Sequence, residues 1–127
     1  MDRIFFMIGS GFGFLGVVAG AFGAHGLKKY FESAPDLQPI FKTATEYQMI
    51  HALAILSAGW ACARWPGALT AASGWFFAAG IVIFSGSLYA ISLARLKWAG
   101  AIAPVGGLAL LAGWLCLAIG VWSSSKI

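Results

Sequence analysis

Charge is scarce in this chain. Four acidic and eight basic side chains make up 9% of its residues, against roughly 25% in a soluble domain. So few charges cannot cover a water-facing surface, so lipid is the expected main solvent. No Asp, Glu, Lys or Arg stands well inside any of the long apolar runs. That disfavours a transporter coupled through a buried carboxylate and a hydrolase built on paired acids. Phosphate-binding loops, zinc-protease helices and nucleophile elbows are missing too. The two cysteines, Cys62 and Cys116, lie in apolar runs without metal-ligand or CxxC spacing. A disulfide is conceivable, since both fall toward the same membrane side, but small packing residues are the simpler reading. The net charge of +4 is spread singly or in pairs between apolar runs. That is how positive charge borders a membrane, not how it gathers on a nucleic-acid-binding face.

What is abundant is apolar chain, 61% of the residues. A spanning helix needs about 20 mainly apolar residues at about 1.5 Å rise each. Four segments meet or approach that: residues 4–24, 47–63, 71–94 and 99–122. The first carries Ala19-Gly20-Ala21, a pattern that signal peptidases cut, but it is long enough to span and is expected to remain as a helix. The links Arg64 to Thr70 and Arg95 to Trp98 are short, so neighbouring spans should run antiparallel. The expected fold is all-α: one domain over residues 1–127, a four-helix up-and-down transmembrane bundle. Between His25 and Glu46, Leu27, Tyr30 and Phe31 share a helical face, which predicts a short amphipathic segment in the first loop.

Basic residues give the orientation. Lys28, Lys29, Lys42, Arg95 and Lys97 flank the first and third links, while Arg3, Arg64 and Lys126 lie on the opposite side. Five against three places the first and third links in the cytoplasm. Trp65, Trp98 and Trp122 fall at span ends, as interfacial aromatics do.

Small residues recur with a heptad rhythm. Gly9, Gly13, Gly16, Gly20 and Gly23 step by four, three, four and three along the first span. Gly106, Gly113 and Gly120, interleaved with Ala109 and Cys116, repeat the device in the fourth. Such faces let helix backbones approach where no hydrophobic force draws them together. Packing within the bundle is the first use for them; contact between two copies in a homo-oligomer is the second.

Polar side chains gather toward one end. His25 closes the first span, and Thr43, Tyr47 and His51 follow at four-residue steps, flanked by Glu46 and Gln48. Ser85, Ser87 and Tyr89 end the third span on the same side. These groups either cap the bundle by hydrogen bonding or line a small polar pocket. A haem held by two histidines is disfavoured because neither stands deep in a span. Two histidines and one glutamate make a thin zinc set. No metal, cofactor or catalytic residue is expected.

Several of these residues fall in ordered motifs: Ala21-Phe22-Gly23-Ala24-His25-Gly26-Leu27, Thr43 through Leu53, Phe84-Ser85-Gly86-Ser87-Leu88-Tyr89, Ala103-Pro104-Val105-Gly106-Gly107, and Gly113-Trp114. The series resembles the small bacterial inner-membrane family called domain of unknown function 423, the YgdD-like proteins. The resemblance implies a multi-pass protein of the bacterial inner membrane with four spans. It brings no activity with it. The expected function is a non-enzymatic binding or accessory bundle whose polar end meets a membrane lipid, a quinone or a partner subunit. The alternative is an oligomeric channel or transporter for a small neutral solute.

Overall fold

A computed structural model describes residues 1–124, and every regular element among them is helical. In order they are α1 (Asp2–Ala24), α2 (Lys28–Ser33), α3 (Gln38–Arg64), α4 (Ala68–Gly80), a π-helical segment (Ile81–Ser85), α5 (Gly86–Ala94), a 3-10 turn (Lys97–Ala101) and α6 (Ala103–Ser124). Three stretches are long and apolar enough to cross a membrane, by length and composition: Asp2–Ala24, Ala68–Ala94 and Lys97–Ser124. The middle one joins α4, the π segment and α5. Lys126, which enters the charge balance, lies outside the described residues.

The second expected span differs most from its sequence reading. It starts at Gln38, not Tyr47, and runs 27 residues as α3. Pro39 sits in its first turn, where a missing N–H costs nothing and the fixed φ favours entry. Lys42 and Glu46 then pair across one exposed turn at 3.9 Å, so these charges decorate the outer side of the helix where it leads into the apolar stretch. The helix stops at Trp65, just before Pro66, which disfavours helical geometry in its predecessor.

α3 is also the hub. α1 lies antiparallel on one side of it, and α4, the π segment and α5 lie on another. α6 packs chiefly on α4 and the π segment. The core joins Phe5 of α1, Ala54, Ile55 and Ala58 of α3, Phe77 of α4, Ile81 of the π segment and Leu110 of α6.

Glycines set the two closest helix pairs. Gly9 faces Ala52 and Leu56, Gly16 faces Met49, and Gly23 faces Phe41. On α6, Gly106 meets Phe84, Gly113 meets Phe77, and Gly120 meets Thr70. Each set recurs every seven residues, which returns to nearly the same helix face. Gly20 approaches Thr45 more loosely, at 3.6 Å for an added methyl, and Gly13 has open space beside it. The α1 glycines therefore do not form one uniform row against a neighbour.

Candidate functional site

The polar side chains of the first loop and the helices do not form one cluster. His25 is exposed at the end of α1. Gly23 lies against Phe41, and His51 is ten residues further along α3, about 15 Å. Thr43 turns back to the carbonyl of Pro39 at 2.9 Å. Glu46 is exposed and pairs with Lys42 rather than with a histidine or tyrosine. What is buried lies on two faces of α3.

The first face centres on His51. Thirteen residues of α3 precede it and thirteen follow, so it sits at mid-helix rather than in the first turn. Its side is 5% exposed. The Trp114 indole N–H donates to Nε2 over 3.0 Å. An indole nitrogen can only donate, so Nε2 accepts, and the ring proton resides on Nδ1. Nδ1 then donates to the Tyr47 carbonyl at 2.8 Å. With both nitrogens engaged, the ring offers no lone pair to a metal or haem. Tyr47 stacks on His51 at 5.8 Å and meets Phe84 at 4.8 Å, with its outer side exposed. Trp114 stands deep in α6, and its indole serves here as a partner rather than an interfacial marker.

The second face centres on Gln48, also 5% exposed. Its amide Nε2 donates to the Phe12 carbonyl of α1 at 2.9 Å. Its Oε1 accepts from the Tyr89 hydroxyl of α5 at 2.6 Å. One side chain thus ties three helices. Tyr89 also lies 3.4 Å from Thr45 Oγ1, but its single proton goes to the shorter bond. Thr45 donates to the Phe41 carbonyl, and Ser85 donates to the Ala44 carbonyl at 2.8 Å. Ser85 closes the π segment, and Ser87 donates to the Ile83 carbonyl, which also accepts the backbone N–H of Gly86.

These residues floor a groove. On this half of the molecule α1 and α5 stand apart on either side of α3. Between them lies a groove of about 500 Å³, open to the surroundings of the bundle. Phe12, Leu15, Phe22 and Phe41 form apolar walls, and Gln48, Ser85 and Tyr89 supply the polar floor. At its loop end the aromatic rings of Phe31, Phe41 and Tyr89 follow one another at 5.4 Å spacings. The α2 helix reaches over that end, and Tyr30 donates to the Ser92 carbonyl at 2.7 Å. A second groove, between α3 and α6, is lined by Tyr47, His51, Phe84, Pro104 and Trp114. Cys62 and Cys116 are free, half-buried thiols.

Sequence reasoning alone misses Phe12, Thr45 and Trp114 as partners. Phe12 acts through a carbonyl, which leaves no side-chain signature. The neighbouring motif residues Gly113-Trp114 were the available signal for the third.

Fold and buried polar floor together define a small, all-helical membrane protein with apolar helices around a polar central one. The family described as "Protein of unknown function (DUF423)" matches residues 19–107, and the chain belongs to it. It is 37% identical to the UPF0382 membrane protein YwdK of Bacillus subtilis, over 92% of this chain and 94% of that one. It is 43% identical to the UPF0382 inner membrane protein YgdD of Escherichia coli, over 85% and 81% of the two. A UPF0382 membrane protein of Staphylococcus saprophyticus is 39% identical, over 94% and 98%. No solved structure matches the chain.

Proposed function

We propose that this protein is a non-enzymatic binding bundle of the bacterial inner membrane, and that the groove between α1 and α5 receives a membrane-dissolved ligand, a lipid or a quinone. The observation that carries this reading is the Gln48–Tyr89–Ser85 floor. Three polar side chains lie beneath apolar walls in a groove that opens sideways, where lipid would be. Pockets for small ligands follow this pattern of apolar lining with a few placed polar groups.

The reading has α3 as a fourth crossing. Its 27 residues extend about 40 Å, more than the roughly 30 Å hydrocarbon core. Its mid-helix polar residues Gln48 and His51 turn inward to partners, the arrangement that makes such residues tolerable in a membrane. The first and third links then face the cytoplasm with their five basic residues. The second groove, beside Tyr47 and Trp114, is the place for a partner subunit or a second copy.

Photo-crosslinking tests the groove. Gly86 lines it and has open space beside its Cα. Gly11 also has open space but stands outside the groove. A benzophenone amino acid at each position, activated in native membranes, reports what lies alongside. The reading expects one small molecule enriched at position 86 over position 11. Identical bulk-lipid adducts at both positions would count against a ligand site.

A further inference from the structure

The ligand class can be drawn from the unused hydrogen-bonding capacity of the floor. We infer that the α1–α5 groove takes a neutral amphiphile whose head carries a carbonyl that accepts from the second N–H of Gln48. This rests on the groove reading above and narrows it.

The Gln48 amide has two N–H donors and a carbonyl oxygen. One N–H goes to the Phe12 carbonyl, and the oxygen takes the Tyr89 proton. The second N–H has no acceptor among the described residues. The protons of Tyr89 and Ser85 are both committed, to Gln48 and to Ala44. The floor therefore presents one spare donor, on a side chain that is 95% buried, its exposure being 5%. The complement of a spare donor is an acceptor on the ligand.

The acceptor is uncharged by the same reasoning. Among the described residues no Lys, Arg, His, Asp or Glu lines this groove, so a phosphate or carboxylate would enter without a counter-charge from them and lose its hydration. A carbonyl loses far less, and the amide replaces its water. The walls supply the remainder. Phe12, Phe22, Phe41 and the Tyr89 ring offer flat apolar faces, and the groove volume of about 500 Å³ admits one ring or one ester head with the start of a chain. A quinone ring and a diacylglycerol ester share this chemistry, and the test separates them.

The test uses the full chain in detergent micelles, with bound probe counted by native mass spectrometry. The probes are decyl-ubiquinone, dioleoylglycerol, and decylbenzene, which has a ring and chain but no carbonyl. The variants are Gln48→Leu, which removes the donor, and Gly86→Leu, which fills open space in the groove while leaving Gln48 and its bonds in place. At least one carbonyl probe should bind the wild type, about tenfold more tightly than decylbenzene. It should lose about tenfold in each variant. Preference for decyl-ubiquinone assigns the ring, and preference for dioleoylglycerol assigns the ester. If all three probes bind alike and all weaken in Gly86→Leu, the groove stands and the carbonyl inference is overturned. If binding is insensitive to Gly86→Leu, the groove reading falls as well. Should Gln48→Leu fail to fold, the comparison of probes on the wild type and on Gly86→Leu still decides.

Discussion

Trp114 and His51 meet across the α3–α6 interface with their ring planes at 64°, the indole N–H donating to the imidazole Nε2 at 3.0 Å. The bond joins the midpoints of two long helices and fixes which histidine tautomer is present. Replacing Trp114 with Phe keeps a ring against Phe77, 4.9 Å away in the native protein. It leaves a buried acceptor without its donor. Side-chain hydrogen bonds within membranes contribute about 0.6 kcal/mol on average and about 1.7 at most. Trp114→Phe should destabilise by an amount in that range, read from unfolding in mixed micelles. A cycle with His51→Leu should return a coupling of similar size. A coupling near zero would mean the two rings only pack.

Gly106 makes the tightest demand on the fold. A methyl there would overlap the amide nitrogen and Cα of Phe84, in the π segment. Both are backbone atoms, so no rotamer can relieve the clash. Gly106→Ala should cost about 1–3 kcal/mol, as overpacking does. Gly13→Ala, on the open side of α1, should be neutral or stabilise by up to about 1 kcal/mol through helix propensity. Thermal unfolding of the two variants side by side checks the contrast. Equal effects would show that the α6–π contact is looser than described.

Arg95 ends α5 in the left-handed conformation, with φ of 58°. The N–H of Leu96 reaches back to the Ala90 carbonyl at 3.2 Å, closing a Schellman-type cap. Glycine is the usual residue there because it avoids a Cβ clash. Arginine brings a guanidinium that lies 5.5 Å from the centre of the Tyr30 ring, a contact contributing about 0.5–1 kcal/mol when exposed. Together with the Tyr30 bond to Ser92 it fastens α2 over the groove end. Arg95→Gly should thus leave global stability nearly unchanged while loosening α2. Hydrogen exchange at residues 28–33 should quicken in Arg95→Gly and more so in Tyr30→Phe. Unaltered exchange in both would show that Phe31, buried beside Phe41, holds α2 alone.

Much of this architecture is written in the chain, and some of it is not. Glycines seven apart mark close helix faces because the spacing is local. Leu27, Tyr30 and Phe31 mark α2 for the same reason. The depth of His51 is not legible that way. Residues 41–46 read as helix leading into the span, but Lys42 and Glu46 keep them out of its apolar stretch; Pro39 in fact starts the helix, and the charges pair on its outer side. The extra nine residues shift His51 from the first turn to the middle. The single polar end dissolves for a related reason. Gln48 and His51 are three residues apart, yet one turns to α1 and α5 and the other to α6. Which neighbour lies on which side of α3 is a tertiary fact. The π segment carries no local mark either; the contact of Phe84 with Gly106 shows why its geometry matters.

The proposed entry of a membrane-dissolved ligand into the groove depends on α3 lying within the bilayer. Nitroxide depth measurement tests that most directly. Ile50 and Leu53 face outward from the middle of α3, at 54% and 62% exposure. In a background with Cys62 and Cys116 replaced by Ala, single cysteines at 42, 46, 50, 53, 57 and 60 carry the label in lipid vesicles. Collision with oxygen relative to a water-soluble nickel chelate should peak at positions 50 and 53 and fall toward 42. A flat profile, or nickel access highest at 50 and 53, would contradict a membrane-buried α3.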